Sequence, residues 1–151
     1  MARVLTTILL IVVIALLSTL LTIAYQGPKE VISPHNRISQ EQIKIYPEKV
    51  VLDIKGTTWA TYADTNSMDP ILDSGAIGIE IIPETEEELH NGDIIAYEST
   101  ITKEIIVHRI VDIKEDSQGK YFITKGDNNK SIDPEKIRFN QVKAVLIGIL
   151  Y

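Results

Sequence analysis

The sequence predicts a mainly β protein, a coiled antiparallel β-sheet or partial barrel, behind one N-terminal transmembrane helix. Three observations lead there. From Val4 to Tyr25 the chain is almost wholly apolar and carries no charge. After Lys49, short runs rich in β-branched residues recur at close spacing between Gly, Asn, Asp and Pro turn signals. No amphipathic helix of any length follows the apolar run, which leaves architectures in which a sheet packs on itself. The boundaries drawn are 1–25 for the anchor, 26–48 for a tether and 49–151 for the β domain.

A chain of 151 residues suits a single core. Cysteine is absent, so neither a disulfide framework nor a thiolate metal site is available. The net charge is −6 and no concentrated basic patch is visible, which argues against nucleic acid as a partner. All 21 acids and every base but Arg3 lie beyond Tyr25, giving that part −7, one base fewer than the whole. Such a domain is repelled by anionic headgroups rather than laid upon them.

Taken in order, the apolar run is about 33 Å long as a helix, matching the hydrocarbon thickness of a bilayer. Thr6, Thr7, Ser18, Thr19 and Thr22 are tolerable there because their hydroxyls bond back to helix carbonyls. A cleaved signal peptide has an apolar stretch of only about 7–15 residues, so a retained anchor is the better reading. Arg3 precedes the span and Lys29 and Arg37 follow it, and this near balance does not orient it. Gly27, Pro28, Pro34, Asn36 and Pro47 punctuate the tether. Within it a short helical stretch is expected over Ile38–Ile45, and His35 is assigned no role.

Strands are expected over Val50–Ile54, Thr57–Ala63, Ala76–Ile82, Ile94–Glu98, Ile105–Ile113, Tyr121–Lys125 and Val142–Tyr151. Asn91–Gly92–Asp93 and Ser117–Gln118–Gly119 read as tight turns. The acidic run Glu84 to Glu88 reads as a solvated loop or a single helical turn.

Three polar exceptions stand out. Ser67 lies between an apolar-alternating run and the turn at Asp69–Pro70. It is either a capping turn residue or a nucleophile beside free backbone donors. His108 interrupts an apolar strand, as a hydrogen-bonded structural residue or as a base. Lys125 to Asp133, K-G-D-N-N-K-S-I-D, is turn chemistry or the source of a carboxylate; its oxygen spacing does not suit an EF-hand calcium loop. Together they supply a hydroxyl, an imidazole and a carboxylate. A serine needs a base to take its proton, and a carboxylate fixes the tautomer of that base.

T-N-S-M-D-P-I-L resembles the S-G-S-M-E-P nucleophile box of type I signal peptidases. Asn91–Tyr97 resembles their G-D-I-V strand, I-V-H-R-I their next box, and K-G-D-N-N…D the one after. The boxes stand in family order between Thr57 and about Gly148, behind an N-terminal anchor. Histidine where bacterial housekeeping enzymes carry lysine is similar to the endoplasmic-reticulum and archaeal type. The resemblance implies a signal-peptidase-like fold, with Ser67 as nucleophile, His108 as general base and Asp133 orienting it. Asp127 would brace the site, and Thr65 with the Ser67 backbone N–H would form the oxyanion hole. Thr65 stands where the family has serine, and Asn66 where it has glycine.

A membrane-anchored serine endopeptidase that removes signal peptides from exported preproteins is what this implies. Its site would face the extracytoplasmic side of the cell membrane, or of the endoplasmic-reticulum membrane in a eukaryote. Partners would be signal peptides, the lipid bilayer and the secretion translocon, with no nucleic acid. No metal or organic cofactor is expected. Two alternatives stand beside it: a catalytically idle membrane-anchored β-domain that binds or assembles partners, and a self-cleaving repressor. The anchor and the lack of a DNA-binding segment weigh against the second.

Overall fold

A computed structural model describes residues 2–24 and 30–151. Residues 25–29, where the sequence places the start of the tether, lie outside the described residues, as does the Thr22 side chain. The chain divides into two compact units, residues 1–30 and 31–151. In the first, helix α1 runs Ala2–Ala24. Its stretch Arg3–Leu21, 19 residues, is long and apolar enough to cross a membrane, as an anchor or a signal sequence would be. Thr6 and Thr7 donate to Arg3 O, Ser18 to Ala15 O and Thr19 to Leu16 O, so these hydroxyls are satisfied inside the helix.

The second unit is built of eight antiparallel strands in two sheets. Strands β1 (Ile43–Tyr46) and β2 (Lys49–Leu52) form a hairpin of their own. The other six are β3 (Thr57–Thr61), β4 (Ile77–Ile81), β5 (Ile94–Glu98), β6 (Ile105–Asp116), β7 (Gly119–Lys125) and β8 (Val142–Leu150). Their order in the sheet is β3-β4-β8-β5-β6-β7, so the last strand sits in the middle. The fold is mainly β as expected, coiled but not closed: β3 and β7 are its two edges.

The sheet carries apolar side chains on both faces of β5, whose Ile94, Ile95, Ala96 and Tyr97 are all buried. Alternate residues of a strand face opposite ways. Ile95 and Tyr97 therefore join Leu89, Ile110, Phe122, Ile137 and Val145 in one core. Ile94 joins Met68, Leu72 and Leu146 in another. The Ser67 turn is thus fixed to one core through Met68 and Leu72, and the strand pair β6–β7 to the other.

Two departures from expectation concern residues 31–46. In place of a helical stretch over 38–45 there is a single 3-10 turn, Gln40–Gln42, and then strand β1. The pairing of β1 with β2 supplies the backbone partners that a helix would have supplied locally. Residues 32–37 are strapped onto the domain. Fully buried Asp93 accepts from His35 N at 2.9 Å, Arg37 Nη2 at 2.5 Å and His90 N at 2.8 Å. The strap runs so close to the N-G turn that a Cβ on Gly92 would lie 2.2 Å from Ser33 O; the turn needs φ +95° there as well.

The connection from β5 to β6 is clamped by Glu135. Its carboxylate accepts from Thr100 N and Ser99 Oγ at 2.8 Å, from Gln141 Nε2 at 2.9 Å, and from the Thr100 hydroxyl. Burial opposes the charge, but these donors outweigh it and hold the Glu135 carboxyl down to about 2. Because the folded value lies below the unfolded one, about 4.3, the clamp stabilises fully above that value. It is lost as pH falls toward 2. Thermal unfolding followed between pH 5 and 2 is expected to show a shallower acid loss in Glu135→Gln than in the wild type; parallel curves would show the clamp to be inert.

Candidate active site

The sheet period decides which side chains of β6 meet which loop. His108 and Arg109 are sequence neighbours on a strand, so they point to opposite faces. His108 Nδ1 lies 2.7 Å from Asp133 Oδ2. Arg109 instead grips Asp127 with two bonds, Nε to Oδ1 at 2.8 Å and Nη2 to Oδ2 at 2.6 Å. The two carboxylates of the K-G-D-N-N-K-S-I-D stretch are therefore divided between the two neighbours.

Asp133 is placed by β7 through its backbone N–H, which donates to Thr124 O at 2.8 Å. Its Oδ2 also accepts from the Thr124 hydroxyl at 2.6 Å and the Tyr97 hydroxyl at 3.1 Å. Burial works against the Asp133 charge, yet the bonds from His108, Thr124 and Tyr97 prevail and hold its carboxyl below the usual aspartate range. An ionised carboxylate can only accept, so the proton of a neutral His108 resides on Nδ1 and Nε2 keeps its lone pair. His108 itself is 7 % exposed. The same desolvation and the Asp133 charge push the Tyr97 phenol well above its ordinary value, keeping it a donor.

Ser67 and His108 line one cleft of about 270 Å³, with Tyr62, Ala63, Thr65 and Met68 among its other walls. Ser67 Oγ lies 3.1 Å from Thr65 Oγ1, and it makes no hydrogen bond to His108. Nucleophile–base contacts are often long before substrate arrives and tighten in the complex. The Ser67 N–H has no acceptor among the described residues, which leaves it available to a ligand.

The turn that presents Ser67 is held from behind. Asn66 has φ +56°, in the left-handed region that favours glycine and, after it, asparagine. Asparagine therefore takes up the turn here without needing glycine. The Asp69–Pro70 bond that follows is cis. Asn128 N donates to Ser67 O at 3.0 Å and Asn128 Nδ2 to Asn66 O at 2.9 Å. Gly126 approaches Ser67 O so closely that a Cβ would lie 2.6 Å from it. The K-G-D-N-N loop therefore grips the Ser67 turn with its backbone and asparagine, and β6 with Asp127.

Sequence reasoning missed Tyr97 and Thr124, the other two donors to Asp133, and gave Arg109 no role. A signal was present for Thr124, a lone polar residue in the apolar Y-F-I-T. Arg109 is more telling. Its side chain is 4 % exposed, and beyond Asp127 it donates through Nη1 to Gly92 O at 2.7 Å and Ile32 O at 3.2 Å. It ties together the strap, the N-G turn and the K-G-D-N-N loop, behind the strand that bears His108.

No family model matches the chain. Over 84 residues it is 31% identical to signal peptidase I W of Bacillus subtilis (strain 168), covering 56% of this chain and 44% of that protein. Over 44 residues it is 45% identical to an uncharacterized protein of Methanocaldococcus jannaschii, covering 29% of this chain and 22% of that one. The chain spans less than half the length of either relative. The likeness to a signal peptidase is thus distant and partial.

Proposed function

We propose that the chain is a membrane-anchored serine endopeptidase that cuts signal peptides from exported preproteins, with its β domain on the extracytoplasmic side. One observation carries this reading: a cleft lined by both Ser67 and His108, in which Asp133 holds the histidine Nδ1 at 2.7 Å. His108 Nε2 takes the Ser67 proton as Oγ attacks the scissile carbonyl carbon. The imidazolium so formed faces the Asp133 charge, and it returns the proton to the leaving amine as the C–N bond breaks. Water then repeats the cycle on the acyl-enzyme. The Ser67 N–H and the Thr65 hydroxyl donate to the oxyanion.

Substrate binding follows from unpaired strand edges. Among the described residues, strand β3 pairs with β4 alone and the stretch Ile105–His108 of β6 with β5 alone, since β7 begins its pairing at Arg109. Residues of both segments line the groove at the site. An extended peptide can add to such edges through main-chain hydrogen bonds, with pockets for alternate side chains. Small substrate residues at positions −1 and −3 suit shallow apolar pockets of this kind.

The test is a preprotein added to spheroplasts that carry the wild-type chain, with Ser67→Ala as the background control. A single cut after a small residue is expected from intact spheroplasts. A cut seen only after lysis would put the domain on the inner side. No cut above background in either preparation would overturn the peptidase reading.

A further inference from the structure

Beyond Ser67 and His108 the groove continues along β3 into a second hollow of about 460 Å³. Trp59, Ala60, Ile105 and Val107 give it apolar walls, but Glu80 of β4 lies among them. Glu80 is only 5 % exposed. Glutamate is almost never buried unless paired, and no cation pairs it among the described residues. Its Oε1 accepts from the Tyr62 hydroxyl at 3.1 Å, and Oε2 has no partner among the described residues. Lys143, which lines the same hollow, is committed to Glu98 at 2.9 Å.

This placement is built into the sheet. The register of β4 against β8 slips between Ile79 and Glu80, but the extra residue is Ile147 of β8, so β4 keeps its regular alternation through Glu80. Two residues earlier on the same face stands Gly78, where a Cβ would lie 1.7 Å from the Tyr62 hydroxyl oxygen. Only a residue without a side chain lets Tyr62 cross β4 and reach Glu80.

We propose that Glu80 is a specificity-determining residue of the peptide groove, accepting a hydrogen bond from a donor-bearing substrate side chain two or more residues from the bond that is cut. The inference rests on the peptidase reading above. A strand laid along β3 turns alternate side chains toward the same wall. An apolar side chain over Glu80 would strip water from Oε2 and replace it with nothing, whereas an ammonium or hydroxyl would satisfy it. Burial already raises the Glu80 carboxyl above the ordinary glutamate range, against the hydrogen bond from Tyr62. A donor from the substrate relieves that unfavourable burial.

The experiment uses peptides built on one cleavable signal peptide, with Lys, Ser or Leu placed in turn at each position on both sides of the cut. Relative kcat/KM is read for the full-length wild type, Glu80→Gln and Glu80→Val. At one position the wild type is expected to prefer Lys or Ser to Leu by at least about tenfold. Glu80→Val is expected to reverse that preference to Leu while leaving preferences elsewhere as they were. Should Glu80→Val not fold, Tyr62→Phe frees Oε1 as a second acceptor and is expected to steepen the same preference. A wild type whose preferences match those of the folded Glu80 variants, or of Tyr62→Phe, overturns this inference and leaves the peptidase reading standing. A wild type that cuts none of the peptides overturns that reading and this one with it.

Discussion

Ser67→Ala is expected to abolish cleavage, with a loss on the order of a million-fold in kcat if the hydroxyl is the nucleophile. The fold should survive the change. Among the described residues the Ser67 hydroxyl bonds Thr65 Oγ1 alone, at an exposed position, so its loss costs no more than about 1 kcal/mol. What holds the turn is untouched by the substitution: the bonds from Asn128 to Ser67 O and Asn66 O, and the burial of Met68 in its core. Measuring turnover and melting temperature on the same preparation separates the two effects. Equal turnover in the variant would end the nucleophile assignment. A peptide-aldehyde probe gives an independent readout, since it should label the wild type and not Ser67→Ala. A catalytically idle binding domain would be labelled in neither.

The largest contrast is expected between the two aspartates. Asp133→Asn keeps the shape but puts a neutral amide against His108, where the imidazolium needs a charge and Nδ1 needs an acceptor. In a characterised serine-protease triad that change costs about ten-thousand-fold in kcat, and a loss of similar order is expected here. Asp127→Asn acts elsewhere. It leaves the guanidinium of Arg109, 4 % exposed, without its bidentate partner. Breaking a buried pair from one side costs about 3–5 kcal/mol, so the melting temperature should fall by roughly 10 °C. Rate per folded molecule is the deciding measurement. Asp127→Asn should retain much of it and Asp133→Asn almost none. An inactive but fully folded Asp127→Asn, beside a near-wild-type Asp133→Asn, would exchange the two roles.

Much of the architecture could be read along the chain because its signals are local. The apolar run that becomes α1, the strands β2 to β8 and the turn at Gly119 are each specified by neighbouring side chains, through periodicity or through φ preference. Strand β1 escaped because I-K-I-Y carries too short an alternation to compete with the helical reading of the residues before it. Its conformation is decided by pairing with β2.

The candidate site residues were legible as types: Ser67, His108, Asp127 and Asp133 stand out as polar exceptions at turns or in an apolar strand. How they combine was implied only by the family resemblance, which set Asp133 behind His108 and Asp127 as a brace, because single residues do not carry contacts between positions far apart in sequence. Insertion of β8 between β4 and β5 puts the Ser67 turn and the β6–β7 pair on one sheet. The pleat of β6 then sends His108 to Asp133 and Arg109 to Asp127. Tyr97 and Thr124 join Asp133 only because β5 and β7 flank β6. Glu80 reads in sequence as an ordinary charge in an alternating strand. Gly78, which makes room for Tyr62 to cross β4, and the bond from Tyr62 are what place it in the groove. Sequence by itself determined most of the backbone conformations, β1 excepted, and which polar exceptions the chain offers, since those are properties of single residues and their neighbours. Tertiary structure alone decided which groups meet, since a strand's partners and register are set by long-range burial.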